Sequence, residues 1–487
     1  MLKIEPLEIK EIGVIEEIRQ GIVKISGLPN CVYGQMLDIG NDSKGMVIEF
    51  NPAAVLGIIF GDEQNVKIGD NVYSEGKPVC VPVGDAFIGR IINCLCQPID
   101  NKGDITASAV YPVFNPAAGV MERLPITEVL QTGIKTVDLV IPVGRGQREL
   151  IVGDRQIGKT SIALDAIINQ KGKDVICIYC WIGGSHAAFT KIMQLLQQKG
   201  AMPYTLAVCA SAGCSTSEQY LSPYTAATLG EYFMRQGKNV LVVFDDLTKH
   251  AWGYRQMSLL LERAPGREAY PGDIFFLHSQ LMERAGRLKP EFGGGTMTFL
   301  PIAETLQGDI TGYVPSNLVS MTDGQIYLNA GLFQEGFKPA IDLELSVSRI
   351  GSKVQCQAIR HFSKGLRYVY SQYRSLLRLT RLKTKLSIEA TQQIQKGRVL
   401  YELLIQENNA PVSLAEEIVI FYCFNRGILL DLKNEEIQMF KSKFFYYLLN
   451  RYPDFKEEIE KTGELTVEIK GKLDSALNEF FHGIVSG

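Results

Sequence analysis

Residues 153–160 read Gly153-Asp154-Arg155-Gln156-Ile157-Gly158-Lys159-Thr160, and this stretch decides how the chain folds. It matches the phosphate-binding loop pattern of a glycine, four residues, then glycine, lysine and threonine. An apolar run at 150–152 precedes it and predicts a strand, and a run at 160–168 follows it and predicts a helix. A chance match on an ordinary turn would lack these flanking elements, so the sequence predicts a polyphosphate-binding loop.

Each part of this loop has a chemical role. Backbone N–H groups of the loop and of the helix that begins at Thr160 and Ser161 point towards phosphate oxygens. Lys159 adds a mobile positive charge, and the Thr160 hydroxyl is a ligand for Mg²⁺. We therefore expect the chain to bind a nucleoside triphosphate such as ATP, or the diphosphate ADP, with Mg²⁺. Whether it hydrolyses the nucleotide depends on residues elsewhere.

The composition is that of a globular protein. The 487 residues are enough for roughly three domains. Hydrophobic residues make up 46% and charged residues 21%, and a net charge of −3 gives no reason to expect a nucleic-acid partner or an anionic membrane surface. No apolar run reaches the length of about 18 residues that a membrane-spanning helix needs. The N-terminus has no signal-peptide core. Any membrane attachment must therefore come through partners.

Ten cysteines are scattered along the chain, which favours a reducing compartment. Cys177 and Cys180 have the spacing of a redox or zinc half-site. They lie inside the apolar run 175–182, and no second pair of matching spacing follows, so we predict that both are core residues.

Three zones follow one another. Residues 1–77 carry short apolar runs separated by turns, which predicts a small β-barrel or sandwich. In residues 78–355, strand-like runs alternate with helical stretches, which predicts a mostly parallel sheet covered by helices; the strands are placed at 150–152, 175–182, 205–209, 239–244, 273–277 and 297–301. Residues 356–487 are predicted to be helical, and Ser413 to Glu416 form a capping box that starts a helix. The predicted fold is an α/β P-loop nucleotide-binding domain with a RecA-like parallel sheet, preceded by a β-barrel and followed by a helical domain.

A second strand supplies the other half of a nucleotide site. The apolar run 239–244 ends in Asp245 and Asp246. A strand that delivers an aspartate beside a phosphate loop is a usual way to hold Mg²⁺, often through water. We favour Asp245, because the first acid after the strand points towards the carboxyl edge of the sheet.

The sequence closely resembles the α subunit of F-type ATP synthases along residues 10–485. The resemblance rests on the run from Pro142 to Thr160 and on later stretches in the same order, at 244–249, 254–261, 265–273, 322–326, 338–341 and 345–352.

The resemblance implies a heterohexameric head in which α-like chains alternate with catalytic β-like chains around a γ-like central stalk, with a peripheral stalk as a further partner. It implies a location in the cytoplasm or at the cytoplasmic face of the membrane. It also implies that the α-like site binds nucleotide without turnover. By motif match, phosphates and Mg²⁺ are held by the loop residues already quoted, by Ser161 and, through water, by Asp245; the base lies near Lys338, Pro339, Gln406 and Asn408, the last standing where the family has glutamine.

Arg349 is the catalytic residue that the resemblance implies. Its counterpart in the family reaches across the subunit boundary to the γ-phosphate in the β-like chain, where it spreads the charge that develops during phosphoryl transfer. Such an arginine finger is typically worth about 10³–10⁵ in rate. Without the resemblance, an arginine in this position would be read as a solvated surface residue.

Several departures set this chain apart from the pattern. Catalytic relatives have a glutamate, and ordinary α subunits a glutamine, where this chain has Gly184. His186 is nearby but is read as a solvated loop residue. Ile157 stands where the family has threonine. The family also carries a segment ahead of the barrel that docks on the δ subunit of the peripheral stalk, and here the predicted barrel begins almost at once, so that contact is either built differently or absent.

Two alternatives therefore remain open from the sequence. One is an α-like subunit of an F-type-derived ATPase with a mechanical role other than synthesis. The other is a self-sufficient homohexameric ATPase, which predicts a carboxylate near Gly184 that the sequence does not contain.

Overall fold

The computed structural model describes residues 11–40, 43–50, 54–380 and 387–485. Its strands are, in chain order, β1 (Glu11–Arg19), β2 (Ile22–Ser26), β3 (Gln35–Ile39), β4 (Ser43–Phe50), β5 (Val55–Phe60), β6 (Asn71–Pro78), β7 (Cys80–Val83), β8 (Ile91–Ile92), β9 (Ala109–Pro112), β10 (Leu150–Gly153), β11 (Val175–Ile182), β12 (Thr205–Ala210), β13 (Asn239–Asp245), β14 (Gly286–Arg287), β15 (Thr296–Glu304), β16 (Gly324–Leu328) and β17 (Val347–Ser348).

The α-helices are α1 (Lys135–Val140), α2 (Lys159–Ile168), α3 (His186–Gln198), α4 (Thr216–Arg235), α5 (Leu247–Leu260), α6 (Ile274–Met282), α7 (Tyr313–Met321), α8 (Ala330–Gln334), α9 (Gln357–Ser363), α10 (Leu366–Thr380), α11 (Ile388–Leu404), α12 (Leu414–Asn425), α13 (Asn434–Arg451), α14 (Phe455–Thr462) and α15 (Val467–Val485).

Strands β1 to β6 close into an antiparallel barrel in the order β1-β2-β5-β4-β3-β6. Side chains alternate between the two faces of a strand, and the inward ones fill the barrel. Val23, Ile25, Leu37 and Val72 are fully buried in this core. Of the two architectures that the sequence allowed, the structure is the barrel.

The barrel belongs to a compact unit that falls within residues 1–125, 171–304 and 311–322. In the same unit, strands β8, β12, β11, β13 and β15 lie side by side as a parallel sheet, and β14 pairs antiparallel with β15. Every residue of β12 is buried, as are nearly all residues of β11 and β13. Helices α4 and α5 pack against this sheet. Strands covered in this way read as continuous apolar runs, which is how they were found in the sequence.

The second unit falls within residues 126–170, 305–310 and 323–487. Strand β10 pairs in parallel with β16, so that Gly153 lies opposite Leu328, and β17 pairs antiparallel with β16. Helices α9 to α15 form the helical part of this unit. Ser413 is the N-cap of α12, where its hydroxyl accepts a hydrogen bond from the Glu416 N–H at 3.3 Å, so the predicted helix start is confirmed.

The predicted fold class is confirmed, and one element within it is wrong. Residues 273–277 were expected to form a strand but belong to α6, which begins at Ile274. Its buried residues, Ile274, Leu277, His278 and Leu281, recur at spacings of three and four, which is the period of a helix. The four apolar residues at 274–277 are too few to distinguish the period of a strand from that of a helix. The domain boundaries after residues 77 and 355 stay predictions.

Candidate nucleotide site

The phosphate loop connects β10 to α2, as the sequence predicts. Gly158 is the N-cap of α2 and has a φ of 102°, in the left-handed region that favours glycine. Gln156 has a positive φ as well, at 61°, and it is exposed on the loop together with Arg155. This turn delivers the chain into the N-terminus of α2, where backbone N–H groups lack helical partners and are suited to bind an anion.

Lys159 is buried and folds back over its own loop. Its Nζ donates hydrogen bonds to the carbonyl oxygens of Gly153, at 2.9 Å, and Asp154, at 2.5 Å. Two carbonyl oxygens of the loop thus accept hydrogen bonds from the ammonium group. A phosphate group would give it a charged acceptor, and charge-assisted hydrogen bonds are the stronger kind.

The Asp154 side chain braces the loop. Its Oδ1 accepts hydrogen bonds from the Thr305 hydroxyl at 2.6 Å and from the Gly308 N–H at 2.8 Å. The Thr305 N–H also donates to Gly153 O at 3.0 Å. Asp154 was predicted to bind the nucleotide, and this stays a prediction, but its carboxylate already has a structural task in shaping the loop.

Gly153 and Ile157 meet beneath the loop. A Cβ on Gly153 would lie 2.7 Å from Ile157 Cδ1 and 2.8 Å from Leu328 O, so only glycine fits there. Ile157 is itself buried. The isoleucine that departs from the family pattern therefore packs under the loop, while the backbone donors of the loop are kept.

A narrow pocket lies beside the start of α2, with a cavity volume of about 30 Å³, room for about one water molecule. It brings together the residues predicted to lie near the base with residues of the phosphate loop and of α2. Its lining includes Gly158, Ser161, Lys338, Pro339, Gln406 and Asn408. The structure therefore joins two groups of residues that are more than 170 positions apart in the chain.

Gln406 is fixed in this pocket by its side-chain amide. Its Oε1 accepts from the Lys135 N–H at 3.1 Å, and its Nε2 donates to Gly133 O at 2.7 Å and Ala410 O at 3.0 Å. Its backbone N–H donates to Lys338 O at 2.8 Å. Gln406 thus holds the wall of the pocket in place, whereas Asn408 is exposed at the rim.

Phe333 also lines the pocket and was missed by the sequence analysis. The Lys338 ammonium lies 4.9 Å from the centre of its ring, a cation–π distance. An aromatic residue five positions before Lys338 is a weak signal in sequence, because nothing in the sequence fixes where the ring points.

In the other unit, Asp245 ends β13 and is buried. The Tyr179 hydroxyl on the neighbouring strand β11 donates a hydrogen bond to Asp245 Oδ2 at 2.9 Å. Tyr179 was also missed, because its role depends on β11 lying beside β13. This hydrogen bond fixes the orientation of the Asp245 carboxyl group at the carboxyl edge of the sheet.

Asp246 has a different role. Its Oδ1 accepts from the Lys249 N–H at 2.8 Å, which caps α5, and its other oxygen forms an ion pair with the Lys249 ammonium. Burial raises the pKa of Asp246 to about 6, and Lys249 opposes that rise. With Asp246 committed to the helix cap, Asp245 is the better candidate for the metal.

Arg349 follows β17 and is exposed. Its backbone N–H donates to Asp323 O at 2.8 Å. The Ser348 hydroxyl next to it donates to Pro142 O at 2.7 Å. The backbone is thus held at two points while the guanidinium remains accessible, as a residue that reaches a neighbouring chain requires.

Gly184 and His186 lie after β11. Gly184 is buried and has no side chain with which to activate a water molecule. His186 begins α3 and is exposed, with its ring 6.4 Å from that of Phe189. Neither Gly184 nor His186 supplies the carboxylate that a self-sufficient homohexameric ATPase would need near position 184.

Cys177 and Cys180 are fully buried in β11, in agreement with their prediction as core residues, and burial raises the pKa of both thiols. Among residues 11–40, 43–50, 54–380 and 387–485, no cluster of three or more His, Cys, Asp and Glu side chains could hold a metal ion. None of the helices in these ranges is suited to span a bilayer.

Barrel, phosphate-loop unit and helical part together define a P-loop nucleotide-binding protein. Three family models match in the same order: "ATP synthase alpha/beta family, beta-barrel domain" at residues 8–76, the "nucleotide-binding domain" of that family at 133–348, and "ATP synthase alpha/beta chain, C terminal domain" at 355–480. The chain belongs to the ATP synthase alpha/beta family.

Curated relatives place it on the alpha side of this family. The ATP synthase subunit alpha of Clostridium botulinum strain Hall is 45% identical over 474 residues, 97% of this chain and 94% of the relative. That of Clostridium acetobutylicum is 46% identical over the same shares. The prediction of an alpha subunit of the F-type ATP synthase head is confirmed.

Proposed function

We propose that this chain holds Mg-nucleotide in the head of an F-type rotary ATPase without hydrolysing it, and lends Arg349 to a catalytic beta-like neighbour. The observation that supports the binding role most strongly is the phosphate loop, in which Lys159 is held over a turn of positive φ at the N-terminus of α2. Gly153, Arg155, Gln156, Thr160 and Ser161 complete that site, and Lys338, Pro339, Gln406 and Asn408 lie near the base.

The side chains of Thr160 and Asp245, each within its own unit, are of the kind that Mg²⁺ prefers. The Thr160 hydroxyl and the Asp245 carboxylate are hard oxygen ligands, and Asp245 would act through water. The Tyr179 hydrogen bond engages one oxygen of Asp245 and orients the carboxyl group. The ion, when bound, neutralises phosphate charge. The residues of this chain bind and orient the nucleotide, and position 184 provides nothing to polarise a water.

The partners in this proposal are a catalytic beta-like subunit, a gamma-like central stalk and a peripheral stalk. The chain would work in the cytoplasm or at the cytoplasmic face of a membrane, which it would reach through its partners. The exposed Arg349 supports the beta-like contact, because an arginine finger must leave its own chain to reach a neighbour's phosphate.

Replacement of the loop lysine tests the binding role. Lys159→Ala removes the ammonium group and is expected to weaken binding of a fluorescent ATP analogue at least tenfold, since hydrogen bonds to charged groups contribute about 1.5–3 kcal/mol. Lys191→Ala, an exposed lysine on α3, is the matched control and should bind as the parent does. Unchanged binding by Lys159→Ala would rule the site out.

A further inference from the structure

Gly184 lies directly against the indole of Trp181. A Cβ on Gly184 would be 2.1 Å from Trp181 Cζ2 and 2.5 Å from its Cε2. Carbon atoms in contact lie about 3.5–4.0 Å apart, so these distances leave no room for a side chain. Both residues are buried. The volume that a side chain at position 184 would need is therefore already filled by the ring of Trp181.

The ring has little freedom to move aside. It stacks on Tyr179, with ring centres 6.3 Å apart and planes at 26°, and it contacts Phe189 at 6.2 Å. The turn that carries Gly184 is also fixed, because the Gly183 N–H donates to Ala210 O at 2.7 Å and Gly184 O accepts from the Ala212 N–H at 2.8 Å. The close approach of Trp181 and Gly184 is thus held from both sides.

Trp181 also lies beside Asp245, the residue proposed to hold Mg²⁺, on the neighbouring strand. In the parallel register of β11 and β13, Trp181 is paired with Asp245. Tyr179, on which the indole stacks, donates its hydroxyl hydrogen bond to Asp245. The Trp181 Nε1–H is buried and has no acceptor among the described residues. A buried donor without a partner is costly, so an acceptor supplied by a ligand would relieve it.

We propose that the Trp181 ring occupies the space of the side chain missing at position 184 and forms an apolar surface beside Asp245. This surface excludes both a water-activating side chain and water itself. This inference rests on the proposed function, because it requires Asp245 to have the Mg²⁺-binding role proposed above. It makes the lack of turnover a steric property of the pair Trp181 and Gly184. Replacement of Gly184 alone would then not create a place for a carboxylate or an amide.

A set of six chains, the parent and five variants, tests whether the ring fills this space. Gly184→Ala in the parent is expected to lower the thermal midpoint by about 2 °C or more, because an added carbon in a packed site is destabilising. In the Trp181→Ala background, the same Gly184→Ala change should cost nothing further. Trp181→Ala with Gly184→Gln should likewise fold better than Gly184→Gln alone. Equal effects of Gly184→Ala in both backgrounds would overturn the inference.

Fluorescence tests whether water reaches the ring in a chain that keeps both Trp181 and Gly184. The chain has two tryptophans, Trp181 and the half-buried Trp252, so Trp252→Phe leaves Trp181 as the fluorophore and Trp181→Phe gives the matched comparison. Acrylamide should quench Trp181 several-fold less than Trp252. Equal quenching of the two would show that water reaches the ring and would overturn the proposal.

The same Trp252→Phe chain separates this inference from the proposed function. Addition of Mg-ADP should change Trp181 emission with the midpoint measured for a fluorescent nucleotide analogue, and Lys159→Ala should abolish the change. If the analogue binds while Trp181 emission stays constant, the Trp181 surface is not part of the nucleotide site. The inference then fails, while the proposed function stands. If the analogue does not bind, the proposed nucleotide site fails first.

Discussion

The backbone N–H of Arg349 donates a hydrogen bond to the carbonyl oxygen of Asp323 at 2.8 Å. The Asp323 carboxylate is in turn held by Arg148, whose Nε and Nη2 donate at 3.0 Å and 2.7 Å and whose backbone N–H donates at 3.0 Å. A bidentate arginine–carboxylate pair fixes geometry better than a single contact does. The backbone of Arg349, the proposed arginine finger, is therefore held in place, while its side chain stays exposed.

Arg349→Ala should lower the steady-state ATPase rate of the assembled complex by about a thousandfold or more, because the charge on the transferred phosphoryl group loses its stabilising cation. Nucleotide binding by the isolated chain should not change. Arg378→Ala, an exposed arginine on α10, serves as the control. A parental rate for Arg349→Ala in a correctly assembled complex would exclude the finger.

Asp323→Asn tests the support of the finger. It weakens the pair with Arg148, and we expect turnover of the complex to fall by about tenfold, since a small misplacement of a catalytic group costs up to about a hundredfold. The change should have no further effect in the Arg349→Ala background, because Asp323 acts through Arg349. Additive losses in the double variant would indicate a purely structural role for Asp323.

Gln406→Ala should destabilise the protein by about 1–3 kcal/mol, because it leaves the buried Lys135 N–H without its acceptor and removes one of the two donors to the Gly133 carbonyl, the other being the Val412 N–H. Asn408→Ala is the matched comparison at the exposed rim and should leave stability within about 0.5 kcal/mol of the parent. Urea unfolding measures both. Equal stability of the two variants would contradict the role given to Gln406.

A buried histidine pair gives the protein a sensitivity to acid. His250 Nδ1 lies 3.1 Å from His278 Nε2, and His250 Nε2 lies 3.2 Å from Tyr220 O. The carbonyl can only accept, so His250 carries its proton on Nε2 and His278 donates from its own Nε2. Burial lowers the pKa of His250 to about 4 and that of His278 well below its usual range.

The sign of the resulting pH dependence follows from these shifts. The unfolded chain takes up protons below about pH 6.5, while folded His250 stays neutral down to about pH 4, so the free energy of unfolding falls as pH falls through this window. For His250 the loss is about 3 kcal/mol. Denaturant unfolding at pH 7 and pH 5 should show a smaller loss in His250→Gln than in the parent. An identical loss would mean that the pair does not contribute.

The fold could be predicted largely from local patterns. The phosphate loop lies between two regular elements, and the buried strands β11, β12 and β13 are continuous apolar runs, so their identity does not depend on distant contacts. The strand predicted at residues 273–277 was wrong because a short apolar run fits a strand and a helix equally well. Only the spacing of the buried residues along the whole of α6 shows that this segment is a helix.

The site could be predicted less completely, because several of its contacts join distant parts of the chain. Tyr179 reaches Asp245 only because β11 and β13 are neighbours in the sheet. Gln406 binds Lys135 and Gly133, some 270 residues away. The contact of Trp181 with Gly184 depends on the turn between them, where Gly183 has a φ of 64°. Sequence alone gives the residue types at these positions but not their pairings.

The most direct test of the account is ATP turnover by the purified chain alone, measured beside nucleotide binding in the same preparation. We expect saturable binding that Lys159→Ala weakens at least tenfold, with turnover far below about 1 s⁻¹, an ordinary value for an enzyme. Turnover at or above that rate, lost in Lys159→Ala, would mean that another group replaces the carboxylate missing at Gly184. It would contradict the assignment of this chain as a non-catalytic subunit.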